Sequence, residues 1–333
     1  MKSFFAATSL VALVLGLLAP LGAGAQQTGQ MRRLGVLMGI PEGDPRGEAR
    51  LAAFRKGLQT LGWEEGRNLR IDIRWATTSD APATQKLARE LIELHPDVLL
   101  SHNTPTTAAL LQHTHTIPVV FAVVSDPIGS GFVTSVSRPG GNATGFTNIE
   151  PTMAGKWPEL LKEIAPRVTR VAFLFNPATA PYAEHYLSSF KRAATSLAVE
   201  AMATPVHNTS ELELIIAAQA RTPNSGLVVM TDAFLIAHRA QIAALAARYR
   251  LPAVYPFRDF IEAGGLLSYG NDPRESFHRA AAYADRLLKG AAPSELPVQA
   301  PVKFELVLNV KVAKALGLTI PRALLLRADQ VIE

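Results

Sequence analysis

The chain has 333 residues, 48% of them hydrophobic and 18% charged, which excludes a disordered chain, a coiled coil and a fibrous repeat and suffices for about two domains. It contains no cysteine, so disulfides, thiolate metal sites, iron–sulfur clusters and a cysteine nucleophile are ruled out. The formal charge of +5 is small for this length, and without a basic stripe interleaved with aromatics no nucleic-acid partner is expected.

At the start, Lys2 precedes an apolar run over residues 4–18, followed by Pro20 and the small residues Ala23, Gly24 and Ala25. A positive start, a short apolar stretch and an A-x-A site describe a secretory signal peptide over residues 1–25. The apolar run is shorter than the roughly 18–20 residues a transmembrane helix needs. The mature chain is therefore expected in the periplasm, and with no cysteine to carry a lipid it is expected to have no lipid anchor.

From Arg32 onward, apolar β-rich runs alternate with helical patterns. Residues 34–38 suit a buried parallel strand, and a polar loop over 41–45 follows. Leu51, Phe54, Leu58 and Leu61 recur at helical spacing until Gly62 stops them. Next come a strand over 69–75, a helix over 82–94, a strand over 98–101, a helix over 106–112 and a strand over 119–124. The second half repeats the order: strand 171–175, helix 182–197, strand 201–206, helix 211–220, strand 227–230, helix 236–250 and strand 253–255. Phe54-Arg55-Lys56 matches Phe190-Lys191-Arg192, and Ile117-Pro118-Val119-Val120-Phe121 matches Leu251-Pro252-Ala253-Val254-Tyr255. The near-constant offset points to an internal duplication. A last β-rich run, 304–308, lies in a tail able to cross back between the halves.

Alternating strands and helices imply parallel sheets with right-handed crossovers, hence an α/β protein of two doubly wound parallel-sheet lobes. Ligands meet such lobes at the carboxyl ends of the strands, so two lobes face to face share one cleft.

The strand ends carry the candidate residues. Asn103 and Thr104 join a strand to a helix; Thr104 is a good N-cap with Pro105 after it, leaving free amide donors suited to a carboxylate. Ser125 and Asp126 end the next strand, and Asp126 either binds an ammonium group or caps a turn. Asp232 holds the matching place in the second half, as an N-cap or as an ammonium partner. Asn176 ends the first strand of that half and offers both a donor and an acceptor. Tyr255, Phe257 and Tyr269 cluster near strand ends, where aromatics either fill a core or clamp a flat ligand. Residues 139–145, Pro-Gly-Gly-Asn-Ala-Thr-Gly, lack the Lys-Ser/Thr of a phosphate loop and read as a turn. His113 and His115 have no acidic partner nearby and read as a solvated helix end, so no metal or cofactor is expected. No H-E-x-x-H or G-x-S-x-G occurs, so zinc-protease and nucleophile-elbow serine-hydrolase readings have no support.

Three stretches carry a family resemblance. Residues 125–133, Ser-Asp-Pro-Ile-Gly-Ser-Gly-Phe-Val, with 137–145, Ser-Arg-Pro-Gly-Gly-Asn-Ala-Thr-Gly, resemble the signature D-P-V-x-x-G-L-V…S-x-x-R-P-G-G-N-x-T-G. Residues 258–270 resemble R-E-F-V-E-A-G-G-L-M-S-Y-G, and 308–311 with 315–321 resemble L-N-L-K…A-L-G-L-T-I-P. The chain thus resembles, from about Arg32 to Pro321, the ABC-transporter substrate-binding family that includes tryptophan- and tyrosine-type binding proteins. Ile128 and Asp259 depart conservatively from the commonest letters, and the loop after Asn176, with Tyr182, departs more freely.

The resemblance implies a type I periplasmic-binding fold with two lobes joined by three crossings. The lobes are expected to comprise residues 32–147 with 273–300, and 148–272 with 301–325. It implies a monomer that binds an amino acid or small carboxylate and delivers it to a membrane permease with its ATPase, without bond-making chemistry. By position it implies contacts from Asn103, Thr104, Ser125, Asp126, Asn176, Asp232, Tyr255 and Tyr269, with Phe257 beside them. A ligand sensor of the same fold and a two-domain cleft enzyme are the rival readings; the enzyme would need a positioned acid–base pair, and the sequence shows none.

Overall fold

Leu34, Val36, Leu37 and Met38 are all fully shielded from solvent, the signature of a strand covered on both faces. They belong to β1 (Arg32–Met38) in a computed structural model that describes residues 31–77 and 80–333. The expected signal peptide lies outside the described residues. Among those residues no helix is long and apolar enough to cross a membrane.

The first half continues through α1 (Pro45–Thr60), β2 (Leu69–Trp75), α2 (Ala81–Glu93), β3 (Val98–His102), α3 (Asn103–Leu111), β4 (Val119–Val124) and β5 (Ala143–Thr147). These strands form one parallel sheet in the order β2-β1-β3-β4-β5. The second half runs through α4 (Lys156–Ile164), β6 (Arg170–Phe175), α5 (Ala183–Ser196), β7 (Glu200–Pro205), α6 (Thr209–Arg221) and β8 (Ser225–Val229). It continues with α7 (Ala233–Ala237), α8 (Arg239–Arg248), β9 (Ala253–Tyr255), α9 (Arg258–Glu262) and β10 (Leu267–Gly270). Its strands lie in the order β7-β6-β8-β9-β10, the order of the first sheet repeated.

The chain then returns. Helix α10 (Pro273–Leu288) packs on the first sheet, where Phe277, Ala280 and Ala281 share a core with Leu51 and Phe54 of α1. It crosses once more to β11 (Glu305–Asn309), antiparallel to β10, and ends with α11 (Val310–Ala315), α12 (Arg322–Arg327) and β12 (Gln330–Ile332) beside β11. Three passages, near residues 148–150, 271–272 and 300–304, therefore link two α/β lobes. Each sheet separates two apolar cores, one per face.

Two local readings change. The single helix expected over 236–250 is broken at His238, whose φ of −96° and ψ of 17° leave the helical region. The end of the stretch 139–145, read as a turn, belongs to the edge strand β5 (Ala143–Thr147). Gly145 there has φ +152°, and the Phe121 backbone occupies the space a Cβ would need, so glycine serves close strand approach.

Candidate functional site

The carboxyl ends of both sheets face one another and enclose a cavity of about 100 Å³. On the first lobe its wall comes from the loop after β1 (Ile40, Pro41, Asp44), from Arg46 and Arg50 of α1, and from His102, Asn103, Thr104 and Ser125. Asn148 closes it at the first crossing, and the second lobe supplies Tyr182, Thr231, Asp232, Ile236, Arg239 and Phe257.

The rim on the first lobe holds unusual backbone. Asn103, Val123 and Asp126 have φ of +70°, +61° and +41°, a region uncommon outside glycine and costly for a β-branched residue. Val123 sits where the β4–β5 register shifts, between Ala122 and Val124. Asn103 tolerates the conformation, and its Oδ1 accepts from the Thr106 amide at 3.2 Å. Asn103 thus does the capping expected of Thr104, and α3 starts two residues before Pro105, the first helical position in that reading. The Thr104 hydroxyl instead accepts from the Ser125 amide at 3.2 Å. The Asn103 and Thr104 amides lie in the first turn, without intrahelical acceptors.

A buried polar chain joins the lobes at the crossing. The Ser125 hydroxyl donates to Asn148 Oδ1 at 3.0 Å, and Asn148 Nδ2 donates to Thr231 Oγ1 at 2.9 Å. Tyr182 donates its hydroxyl to the Thr231 carbonyl at 3.2 Å. Across the mouth, Arg50 Nη2 lies 3.3 Å from Asp259 Oδ2 and Nη1 lies 2.8 Å from His102 Nε2. Burial pulls Arg50 down to about 10, still charged at neutral pH. Burial, with the Arg50 charge beside it, holds His102 well below its usual range, so the imidazole is neutral. Arg239 lies 4.0 Å from Asp44, and on the opposite rim Asp126 meets His185 at 2.6 Å. The Arg50–Asp259 and Arg239–Asp44 ion pairs and the Asp126–His185 hydrogen bond span the two lobes.

Asp232 is fully buried and caps α7. Its carboxylate accepts from the amides of Leu235 at 3.0 Å and Asn176 at 2.7 Å and from Thr179 Oγ1 at 2.8 Å. Burial outweighs those bonds and raises its pKa to about 6.

The structure therefore gathers Asn103, Thr104, Ser125, Asp232 and Phe257 on one cavity. Asp126 is at the rim, turned to His185, and Asn176 stands behind Asp232 as its hydrogen-bond donor. Tyr255 and Tyr269 do not line the cavity. Tyr255 is 1% exposed and stacks on Phe260 at 4.9 Å, while Tyr269 stacks on Phe304 at 5.9 Å. Both lie within strands, whose side chains stand perpendicular to the sheet and fill the cores; the residues that reach the cleft follow the strand ends. Sequence reasoning missed Arg46, Arg50, His102, Asn148, Tyr182 and Arg239. The strand-end rule applied to the loop after β1 points toward Asp44 and Arg46, whereas Arg239 lies in a helix with no local signal.

Two doubly wound lobes, three crossings and one cavity between the strand ends define a cleft-binding protein of the type I periplasmic-binding fold. The chain belongs to the family described as ABC transporter substrate binding protein, whose sequence profile matches residues 38–332. That is a family of substrate-binding proteins rather than enzymes. The chain is 25% identical over 268 residues to the tyrosine-binding protein of Clostridioides difficile, covering 80% of this chain and 75% of that one. A solved structure of a conserved domain protein from Vibrio cholerae superposes with a TM-score of 0.82 at 28% identity, covering 91% of this chain and 100% of the other. A Streptococcus ABC domain in complex with L-Trp shares the fold with a TM-score of 0.81 at 24% identity, over 90% of this chain and 99% of that one.

Proposed function

We propose that this chain is the periplasmic substrate-binding component of an ABC importer, capturing a small carboxylate-bearing solute, an amino acid or a related acid, between its lobes. The observation that carries the reading is the cavity at the joined strand ends, walled by both lobes and strapped by two ion pairs and a hydrogen bond that span them. Those pairs exist only while the lobes are together. An open form would admit solute, and swinging about the three crossings would bury it. The closed form would then present both lobes at once to a membrane permease and its ATPase.

The first-lobe wall offers hydrogen-bond donors, the first-turn amides of α3 and the Arg46 guanidinium, on which a carboxylate gains charge-assisted bonds roughly twice as strong as neutral ones. Ile40, Ile236 and Phe257 offer apolar surface to the rest of the solute. The tyrosine-binding relative and the L-Trp complex of a structural neighbour support a ligand of amino-acid size. Thermal-shift screening with amino acids and small carboxylic acids, paired with small-angle scattering, tests the reading. A binder should raise the melting temperature and compact the protein; if no small carboxylate or amino acid does either, the receptor reading fails.

A further inference from the structure

The cavity holds two carboxylates and three guanidiniums, and their hydrogen bonding is lopsided. Asp44 accepts from the Arg46 amide at 3.0 Å and from Arg46 Nε and Nη2 at 3.0 and 2.6 Å. Asp232 is engaged by Asn176, Thr179 and Leu235. Neither acid on the wall is left without partners. Among the cations, Arg50 is shared between His102 and Asp259. Arg239 reaches Asp44 only at 4.0 Å but keeps access to water, whereas Arg46 Nη1 is shielded from water and makes no hydrogen bond among the described residues, with Asp259 Oδ2 3.6 Å away.

Formal charge does not decide between them: Arg46, Arg50 and Arg239 are matched by Asp44, Asp232 and Asp259, and neutral His102 adds nothing. Hydrogen bonding does. A buried guanidinium N–H without an acceptor is costly, and a solute carboxylate that reaches it relieves that cost. An incoming ammonium would instead have to compete for carboxylates that already hold internal donors. An ammonium therefore meets occupied acceptors, and a carboxylate meets a free donor.

We propose that the cleft selects organic monocarboxylates over the zwitterionic amino acids of the same shape, Arg46 Nη1 taking the carboxylate while the internally bonded Asp44 and Asp232 leave an ammonium without an open acceptor. This narrows the receptor reading above and rests on it. The carboxylate takes Nη1, which the Asp44 pair holds in place through Nε and Nη2. The apolar remainder of the solute lies toward Ile40, Ile236 and Phe257.

The test is titration calorimetry of the full mature chain, after removal of co-purified solute, with pairs matched in shape. 3-Phenylpropanoate is set against L-phenylalanine, 4-methylpentanoate against L-leucine, and indole-3-propanoate against L-tryptophan. The tightest carboxylate should bind at least about tenfold more strongly than its amino-acid partner. Arg46→Gln should weaken that carboxylate about 10–100-fold and any bound amino acid, which offers the same carboxylate, by a similar factor, and Arg46→Lys should fall between, keeping the charge but losing the fork. Ligand-free melting temperatures identify any variant that has lost its fold; should Arg46→Gln do so, the lysine variant carries the comparison. An amino acid that binds as tightly as its carboxylate partner, or a carboxylate affinity indifferent to Arg46, overturns the proposal and leaves the receptor reading standing. Failure of every probe in both classes overturns both.

Discussion

Asp259→Asn removes the carboxylate that Arg50 and Arg46 reach from the other lobe, at 3.3 and 3.6 Å. At 3.3 Å and an effective dielectric near 20, the Arg50 pair has a gross Coulomb attraction of about 5 kcal/mol. Desolvation of both groups offsets much of that, and truncating one partner of such a pair costs about 2–3 kcal/mol. The Arg50 side chain is only 4% exposed while the lobes are together, so the stranded charge has no water to turn to unless the cleft opens. The loss therefore falls on the closed form and spares the four apolar cores. It corresponds to a shift of roughly 30–150-fold toward the open form. Small-angle scattering should show a larger radius of gyration, and ligand affinity should fall by a similar factor with little change in melting temperature. A variant that melts much lower, yet keeps wild-type scattering and affinity, would show that the pair stabilises a lobe instead of closing the cleft.

Other perturbations separate the site from its scaffold. Burial raises Asp232 to about 6, so the folded form holds this proton more tightly than the unfolded chain does. Its contribution to stability is full below the usual carboxylate pKa and is lost, by about 3 kcal/mol, as pH rises through about 6. Denaturant titrations between pH 4 and 7.5 should show that slope flattened in Asp232→Asn, and an unchanged slope would refute the assignment. Within the cavity Asp44 stays ionised beside Arg46, His102 stays neutral, and Arg50 and Arg239 stay charged. Carboxylate affinity should therefore weaken as Asp232 ionises near pH 6, whereas an ammonium-binding site would strengthen there; calorimetry across that range distinguishes the two. Tyr255→Ala should cost about 3–5 kcal/mol in a denaturation midpoint through the cavity left beside Phe260, while the folded fraction binds normally. A selective loss of affinity would return Tyr255 to the cleft. Gly145→Ala should destabilise the first lobe by several kcal/mol, since β5 cannot keep its place against the Phe121 backbone; a wild-type midpoint would contradict that.

Much of the architecture is legible because a parallel strand covered on both faces is written as a continuous apolar run, as in Val-Val-Phe-Ala-Val-Val of β4. The repeated strand order follows from the same runs recurring at one offset. Strand β5 escapes such reading because Ala-Thr-Gly-Phe-Thr is short, carries two threonines and is centred on glycine. The rule that ligands lie past strand ends leads to Asn103, Thr104, Ser125, Asp232 and Phe257, which line the cavity. It misleads at Tyr255 and Tyr269, where one or two residues decide whether a ring lies inside the strand or beyond it. Arg46, Arg50 and Arg239 are hidden for another reason. They sit on helices whose charged ends meet only when two distant lobes come together, and no local pattern encodes that meeting.

The most direct measurement is a crystal structure of the chain with the tightest-binding carboxylate of the matched series. The solute should lie inside the interlobe cavity, its carboxylate within hydrogen-bond distance of Arg46 Nη1 and its apolar part against Ile236 and Phe257, with Arg50 and Asp259 still paired. A solute seated outside the cavity, or turned so that its carboxylate faces Asp232 and leaves Arg46 Nη1 without an acceptor, would contradict the proposal.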